Sequence, residues 1–440
     1  MELVSGVSAR RRDLGKKENI FRCNSWCVKL TQRRGDAELV REVHHALYRL
    51  SCNFVLLFLR ASAFLHFKNN SHRSVSAKKP RRPRFAKLPS HMSTSVPTQY
   101  RFSFGPWNIS EGADPFGGET RKTFPHEEKF ALYRPLGFEG VQFHDDDVVP
   151  GMDALSPAQI MKKSAEVKMM LGNHGLTPEF VAPRLWFAEQ TTDGAYTSNS
   201  ARDRSYAWDR TKKCVDIARA VDCKAIVLWL AREGSYIREA KDARLAYQRI
   251  LETVNAILDY DSSVEIWIEP KPNEPTDQAY VPTIGHAIAL SFASKDHKRV
   301  KGLIESAHAL LAGLDPSDEM AFALVHDKLG SVHLNDQNGL KYDQDKNFGG
   351  ANLRTAFNQV RVIEEAGYGQ RGEFIGLDVK AIRTQRGCPV TDHLKNSREL
   401  FLHLVEKVRT LDAKLMQQFR DARDYEALEL HVLKHLMGLK

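Results

Sequence analysis

The stretch GSVHLNDQNGLKYDQD, residues 330–345, passes from an apolar segment of strand character into a polar loop. The loop carries Asp343 and Asp345 two positions apart, and alternate residues of an extended chain point to the same side. These two carboxylates are therefore predicted to bind one cation together. His333 lies at the end of the strand and is predicted to share their site.

Seven other segments of strand character alternate with longer segments of helical character. In chain order the eight predicted strands are YRFSFGPWNI (100–109), GVQFHDDD (140–147), FVAPRLWF (180–187), AIVLWLA (225–231), VEIWIEPKP (264–272), VKGLIESAH (300–308), GSVHLND (330–336) and FIGLDVK (374–380). Eight strands that are each followed by a crossover predict an α/β fold, the (β/α)8 TIM barrel. A doubly wound sheet is the alternative, but it usually has fewer strands and a glycine-rich phosphate turn, which this sequence lacks.

Two of the intervening segments carry clear helix signals. Ser156 and Gln159 have the spacing of a capping box, with Pro157 in the first helical position. The second segment, LAYQRILETVNAILDY, is predicted to be a helix with one apolar face, formed by Ala246, Ile250, Val254 and Ile257.

The net charge of +9 comes from the start of the chain. Residues 1–91 carry 20 Lys and Arg against 6 Asp and Glu, whereas the remaining residues carry 44 against 49. This basic, aperiodic segment is predicted to be a disordered extension, with a nucleic-acid arm or a targeting peptide as alternatives. Ordered patterning begins at Met92, so a mis-called start is a third interpretation. The predicted barrel domain is 92–385, and a helical arm, 386–440, follows it.

The cysteine and hydropathy patterns predict a cytoplasmic protein without a membrane segment. The six cysteines form no paired framework, which is typical of a reducing compartment. The most apolar run, NFVLLFLRASAFLHF, is interrupted by Arg60 and is shorter than the roughly 20 residues that a membrane helix needs.

Polar residues recur at the carboxyl ends of the predicted strands. In a barrel these ends converge on one rim, where enzymes of this architecture keep their chemistry. Each residue alone has the alternative of an ordinary salt bridge or a satisfied histidine, but their succession along the last four strands favours a shared site. The rim residues are His144, Asp147, Glu269, Lys271, Glu305, His308, His333 and Asp378.

Five carboxylates on or beside this rim predict bound cations, because neighbouring carboxylates raise one another's pKa unless positive charge lies between them. Oxygen ligands combined with histidine favour Mg²⁺ or Mn²⁺. Two cations that share a carboxylate would use all of these groups, and Glu305 is the predicted bridge. The predicted ligands of the first cation are Glu269, Glu305, His333 and Asp378. Those of the second are Glu305, His308, Asp343 and Asp345.

Five sequence blocks resemble those of xylose isomerase, a two-metal aldose–ketose isomerase with a TIM-barrel fold. They span much of residues 100–385 in the family's order and spacing, and they are FGPWNISEGADPFGGETR, GVQFHDDDVVP, WIEPKPNEP, PTIGHA and QNGLKYDQD. The resemblance implies interconversion of D-xylose and D-xylulose by a metal-assisted hydride shift. It also implies two divalent cations per subunit, Mg²⁺ or Mn²⁺ with Co²⁺ as a further candidate.

The resemblance assigns roles to the residues at the matching positions. His144, paired with Asp147, would open the pyranose ring by acting at the ring oxygen. Lys271 would hydrogen-bond the carbonyl oxygen. Trp229 and a Phe116 reaching in from a neighbouring subunit would form dry pocket walls, although core packing is the alternative for both. The family also implies a homotetramer, in which the arm would hold a partner subunit.

The sequence departs from the family pattern at two positions. His333 stands where the family has an aspartate ligand, so one negative charge is lost and the site is predicted to shift from Mg²⁺ towards Mn²⁺ or Co²⁺. Such a site is similar to that of rhamnose isomerase. Glu111 lies where the family usually has a tryptophan wall. Both departures leave the reaction type in place and put the sugar in question.

Three other functions are alternatives. A sugar isomerase or epimerase of the same barrel could act on L-rhamnose, ribose or a rare sugar. A metal-dependent endonuclease would need a basic groove, whereas the barrel segment is slightly acidic, so no nucleic-acid partner is predicted. A non-catalytic sugar-binding barrel is the third, although every predicted ligand and Lys271 are chemically competent.

Overall fold

The structure is a computed structural model that describes residues 18–23, 26–31, 100–387 and 389–439. Its contacts divide the chain into two units, residues 1–92 and 93–440. In the first unit, Glu18–Cys23 and Trp26–Thr31 pair as an antiparallel two-stranded sheet. The predictions of an extension and of a mis-called start otherwise fall outside the described residues.

Eight parallel strands close into a barrel in the second unit, which confirms the predicted fold. Each strand pairs with its neighbours in chain order, and the last pairs with the first. The strands are β1 (Arg101–Phe104), β2 (Gly140–His144), β3 (Thr177–Ala182), β4 (Ala225–Trp229), β5 (Glu265–Glu269), β6 (Val300–Glu305), β7 (Leu329–Leu334) and β8 (Phe374–Leu377).

Helices follow the strands and form the outer layer. In the described part of the second unit they are α1 (His126–Leu136), α2 (Asp145–Val148), α3 (Pro157–His174), α4 (Ala201–Ala220), α5 (Ala243–Tyr260), α6 (Ile284–Ala293), α7 (Ser306–Leu311), α8 (Pro316–Val325), α9 (Leu353–Glu365), α10 (Asp392–Thr410), α11 (Ala413–Ala422) and α12 (Tyr425–Met437). None of these helices is both long enough and apolar enough to cross a membrane.

The observed strands end earlier than the predicted ones. Short helices begin directly after β2 and β6, whereas loops follow β3, β5, β7 and β8. β2 stops at His144, and Asp147 in α2 turns back to accept a hydrogen bond from the His144 amide at 2.9 Å. β6 stops at Glu305, so His308 lies in the first turn of α7 and not on a strand. The rim therefore consists of strand ends and the turns that follow them.

The two helix predictions are confirmed. Ser156 caps α3 by accepting from the Gln159 amide, and the Gln159 side chain accepts from the Ser156 amide at 2.9 Å. In α5 the predicted apolar face is buried against the barrel, and it consists of Ala246, Ile250, Val254 and Ile257.

The first C-terminal helix, α10, packs directly on the barrel. The ring of Phe401 meets the rings of Phe102 and Tyr100 edge to face, at centroid distances of 5.5 and 5.0 Å. α10 therefore covers β1 and completes the outer layer after β8. α12 packs back against α10 through two hydrogen bonds of 2.7 Å. Lys407 Nζ donates to the His435 carbonyl, and His435 Nε2 donates to the Lys407 carbonyl.

Candidate active site

Acidic and histidine side chains from four neighbouring strands converge at the carboxyl end of the barrel. Glu269 and Glu305 are the last residues of β5 and β6, His333 lies near the end of β7, and Asp378 follows β8. Three sets of side chains bring their ligand atoms within 4.8 Å of one another, and all three include Glu305: Glu269 with Glu305 and His308, Glu305 with His333 and Asp378, and Glu305 with Asp343 and Asp345.

Each of the two histidines lies close to both glutamates. His333 Nδ1 is 3.1 Å from Glu269 Oε1 and 3.9 Å from Glu305 Oε2. His308 Nε2 is 3.3 Å from Glu305 Oε2, and its Nδ1 is 3.8 Å from Glu269 Oε1. All four side chains are buried, so they interact at low dielectric. Glu269, predicted to belong with His333, thus also lies beside His308.

Asp343 joins this cluster from the loop after β7. Its Oδ2 atom is 3.0 Å from both His308 Nε2 and Lys271 Nζ. Lys271 also lies 3.2 Å from Glu274 Oε2, and Glu274 accepts from the Asp343 amide at 2.9 Å. Lys271, the predicted catalytic lysine, therefore forms ion pairs with Glu274 and with Asp343, and Asp343 is also a predicted cation ligand.

The remaining predicted ligands are anchored by neighbours. Asp345 forms an ion pair with Lys380 and lies 3.4 Å from Asn335 Nδ2, which also donates to Glu305 Oε1 at 2.8 Å. Asp378 Oδ1 accepts two hydrogen bonds from the loop after β1, which come from Trp107 Nε1 at 2.9 Å and Asn108 Nδ2 at 2.6 Å.

The carboxylates of the cluster ionise very differently. Burial and the nearby charge of Asp343 raise the pKa of Glu305 well above its usual range, and the same causes raise the pKa of Asp345 to about 8. Burial also opposes ionisation of Glu269, but the adjacent His333 outweighs it and lowers the pKa of Glu269 to about 2. The positively charged side chains around the cluster therefore balance only part of its acidic charge.

The donor set fits divalent cations. Five carboxylates face two lysines, and three buried ligand atoms, His333 Nε2, His308 Nδ1 and Asp343 Oδ1, have no hydrogen-bond partner among the described residues. A buried polar atom without a partner destabilises the fold unless a ligand or a bound ion pairs with it. Carboxylate oxygens with imidazole nitrogens suit Mg²⁺, Mn²⁺ or Co²⁺, and Glu305 is placed to be shared.

His144 and Asp147 meet as predicted. His144 Nδ1 lies 2.9 Å from Asp147 Oδ2, and both side chains are largely buried. The loop after β3 adds Arg184, whose Nη2 atom is 2.7 Å from His144 Nδ1 and 3.2 Å from Asp147 Oδ1. Asp146 stands 2.9 Å from Arg184 Nε. The histidine thus has both an anion and a cation beside one ring nitrogen.

Tryptophans connect the histidine to the acidic cluster. The ring of Trp107 lies 4.3 Å from that of His144, while its Nε1 bonds to Asp378. Trp186 meets the His144 ring at 5.2 Å and Trp229 edge to face at 4.5 Å. Lys271 Nζ lies 5.1 Å from the centroid of Trp229. Contacts of tryptophan rings therefore connect His144 to Lys271 and to the acidic cluster.

Two predicted pocket residues lie apart from this cluster. Phe116 is 81% exposed and contacts the ring of Tyr342 at 5.4 Å, so it is not part of its own subunit's core. Glu111 is half-buried, and its carboxylate is 3.5 Å from the buried ammonium of Lys129. Lys129 in turn donates to the Pro106 carbonyl, beside Trp107.

Sequence reasoning missed Arg184, Trp107, Trp186, Asn335 and Lys380 as site residues. All of them follow a strand by a few positions, which was the available signal. Asp336, three residues after His333, is in contrast not part of the cluster. Its Oδ2 atom accepts hydrogen bonds from the backbone amides of Ala351 and Asn352.

A known protein family matches most of the barrel. The family described as Xylose isomerase-like TIM barrel matches residues 130–381, which is more than half of the chain. The chain belongs to this family. Membership agrees with the resemblance seen in the sequence and indicates an isomerase-type enzyme among the sugar isomerases and epimerases.

Several solved structures are similar to the chain at low identity. A D-tagatose 3-epimerase-like protein is 18% identical, with a TM-score of 0.50 over 70% of this chain and 98% of its own. A xylose isomerase domain protein from Alicyclobacillus acidocaldarius is 15% identical, with a TM-score of 0.47 over 70% and 99%. A 3-keto-D-glucoside 4-epimerase from E. coli is 13% identical, with a TM-score of 0.49 over 69% and 100%. At these identities the likeness concerns the fold.

Proposed function

We propose that this protein is an aldose–ketose isomerase of the xylose isomerase type, which interconverts D-xylose and D-xylulose by a hydride shift between C1 and C2. The observation that carries the proposal is the acidic cluster around Glu305, which is connected to Lys271 and His144 by ion pairs and by contacts of tryptophan rings. An isomerase of this type needs a charged centre for the sugar oxygens, a donor for the carbonyl and a group that opens the ring.

Two divalent cations would be held by the cluster. The first would take Glu269, Glu305, His333 and Asp378, and the second would take Glu305, His308, Asp343 and Asp345. When bound, such cations polarise the sugar's carbonyl and neighbouring hydroxyl. The excess of carboxylates over lysines and the raised pKa of Glu305 support this assignment.

The chain's own residues supply the rest of the chemistry. Lys271 carries a positive charge, because Asp343 and Glu274 outweigh burial and raise its pKa, and it would donate to the carbonyl oxygen as negative charge grows there. His144 would act at the ring oxygen when the pyranose opens. Trp186 and Trp229 would exclude water while hydride moves, since their rings pack against each other and contact His144 and Lys271, respectively.

A related sugar isomerase or epimerase is the second candidate. It is favoured by the histidine at position 333 and by Glu111, which carries a carboxylate where the xylose enzymes have a tryptophan. L-Rhamnose is the first alternative substrate to examine, because the histidine-containing site is similar to that of rhamnose isomerase.

Assembly is part of the proposal. Phe116, 81% exposed, would enter the site of a neighbouring subunit. The arm, 386–440, would embrace a partner in a homotetramer through α11 and α12, which follow the barrel-packed α10. Light scattering on the purified chain would give the mass of the assembly. A monomer that retains full turnover would overturn the role of Phe116.

The deciding experiment strips the protein of metal, reloads it with Mg²⁺, Mn²⁺ or Co²⁺, and measures ketose formed from D-xylose, D-glucose, L-rhamnose and D-ribose. Metal-dependent conversion led by D-xylose is expected. Preference for L-rhamnose would select the second candidate, and no conversion of any sugar would contradict the proposal. Glu305→Gln, which removes the shared ligand, is the negative control.

A further inference from the structure

The ring nitrogen Nδ1 of His144 has two partners that make incompatible demands. Asp147 Oδ2 lies 2.9 Å from it and can only accept, so this contact requires a proton on Nδ1. Arg184 Nη2 lies 2.7 Å from the same atom and can only donate, so that contact requires a lone pair. One nitrogen cannot satisfy both, and the competition decides which tautomer is present.

The surrounding contacts favour Arg184. Asp147 Oδ2 already accepts from the His144 amide at 2.9 Å, and Asp147 Oδ1 lies 3.2 Å from Arg184 Nη2. The Nη2 group has two hydrogens, one for His144 Nδ1 and one for Asp147 Oδ1. With a lone pair on Nδ1, the hydrogen bonds from Arg184 to His144 and to Asp147 both form, and only the contact between Nδ1 and Asp147 Oδ2 lacks a hydrogen. With a proton there, an N–H of Arg184 would point at an N–H of His144.

Arg184 is itself held in this position. Asp146 lies 2.9 Å from its Nε, and its guanidinium carbon lies 5.5 Å from the ring of Phe187. The side chain is only 22% exposed, and its backbone amide bonds to Asp145 Oδ1 at 3.3 Å. Arginine does not lose its proton in proteins, so it remains a donor whatever the sugar does.

We propose that Arg184 is a positioning residue that fixes His144 as the tautomer protonated on Nε2. The inference rests on the proposed function in one respect, namely that His144 acts on the sugar. The nitrogen facing the sugar is then a hydrogen-bond donor and not a base. As the bond from C1 to the ring oxygen breaks, His144 donates a hydrogen bond to that oxygen and keeps its proton. The C1 hydroxyl proton leaves to water, and the ring oxygen takes a proton from water.

Nitrogen-15 NMR of the histidine-labelled full chain, without metal or sugar, tests the tautomer directly. The His144 signals are assigned by their loss in His144→Gln. The expected result is the Nε2-protonated form in the wild type and a change to the Nδ1-protonated form in Arg184→Met, which has no donor. Arg184→Lys, which keeps a charged donor, is expected to retain the wild-type form at least in part.

Arg232→Met is the matched control, since it removes the same charge from the loop after β4, where Arg232 Nη1 bonds to Tyr236 at 3.4 Å. It should leave the His144 signals unchanged. An Nδ1-protonated wild type, or an unaltered tautomer in Arg184→Met, would overturn the proposal. The wild-type spectrum alone decides the matter if the methionine variant does not fold.

A kinetic comparison connects the tautomer to the reaction. Arg184→Met is expected to lose roughly 10²-fold in turnover of the cyclic aldose that the wild type prefers, which is the lower range for loss of one hydrogen-bond donor to an oxygen that gains negative charge. D-glyceraldehyde, which forms no pyranose, should be little affected. An equal loss of turnover with both substrates would mean that Arg184 does not act in ring opening. If the wild type converts no sugar, the proposed function fails while the spectrum still tests Arg184.

Discussion

Replacing His333 by aspartate restores the carboxylate of the xylose isomerase pattern and should make the fold depend more strongly on bound cations. In the structure His333 Nδ1 lies 3.1 Å from Glu269 and 3.9 Å from Glu305, and its side chain is only 3% exposed. Attraction to Glu269 outweighs burial and raises the pKa of His333, so without bound cations the wild-type side chain supplies positive charge at the centre of the cluster. As a cation ligand it would be neutral.

The size of the effect follows from these distances. With the charge of each carboxylate placed at its carbon atom, a carboxylate at position 333 would stand about 6 Å from those of Glu269 and Glu305. At an effective dielectric constant of about 20, the repulsion is roughly 3 kcal/mol for each neighbour that stays ionised. Bound cations would remove this repulsion, so the variant should bind them on the order of 10²-fold more tightly if one neighbour is ionised.

Urea unfolding with EDTA, MgCl2 or MnCl2 measures the effect. The expected result is a lower midpoint for His333→Asp in EDTA and a larger gain on adding Mg²⁺ than in the wild type. The ratio of activity with Mg²⁺ to that with Mn²⁺ should also rise. His403→Asp, on the exposed side of α10, is the control for charge. An equal metal-induced gain in wild type and His333→Asp would mean that His333 does not face the cations.

Three other predictions use the same contacts. Lys271→Met should retain its metal content by elemental analysis while losing roughly 10²-fold or more in turnover, as expected for loss of a donor to a developing oxyanion; loss of metal would make Lys271 structural. Glu305→Gln should lose both cations, because this carboxylate is shared by all three ligand sets; retention of two would contradict the bridge. Burial lowers the pKa of His393 from 6.5 to about 4, so between these pH values the unfolded chain binds a proton that the folded chain does not. The free energy of unfolding should therefore fall by about 3 kcal/mol as the pH drops from 6.5 to 4. His393→Leu should flatten that pH dependence in urea titrations, and an unchanged slope would refute the assignment.

The fold could be predicted because each barrel strand carries its own local signal. A short apolar run followed by polar residues marks both a strand and its exit to the rim, as at Glu269 and Glu305. The capping box at Ser156 and the apolar face of α5 are similarly local. These patterns depend on the spacing of apolar and capping residues within one helix or strand, and this spacing can be read from the sequence.

The details of the site depend on how separate loops meet, and no local pattern contains that. Arg184 and His144 lie 40 residues apart, and only the pairing of β2 with β3 brings their loops together. Trp107 reaches Asp378 because β1 pairs with β8, which closes the barrel. Likewise, Asp147 looked like the only partner of His144, because spacing along the chain shows a neighbour at i+3 but no contact from another strand.

Running the reaction in heavy water with an unlabelled aldose, and examining the ketose by NMR, would test the proposed chemistry most directly. A hydride shift moves the C2 hydrogen to C1 without exchange, so the ketose should carry no solvent deuterium at C1. Deuterium at C1 would instead show that a protein base removes the C2 hydrogen as a proton and returns one from solvent, which would contradict the hydride-shift mechanism.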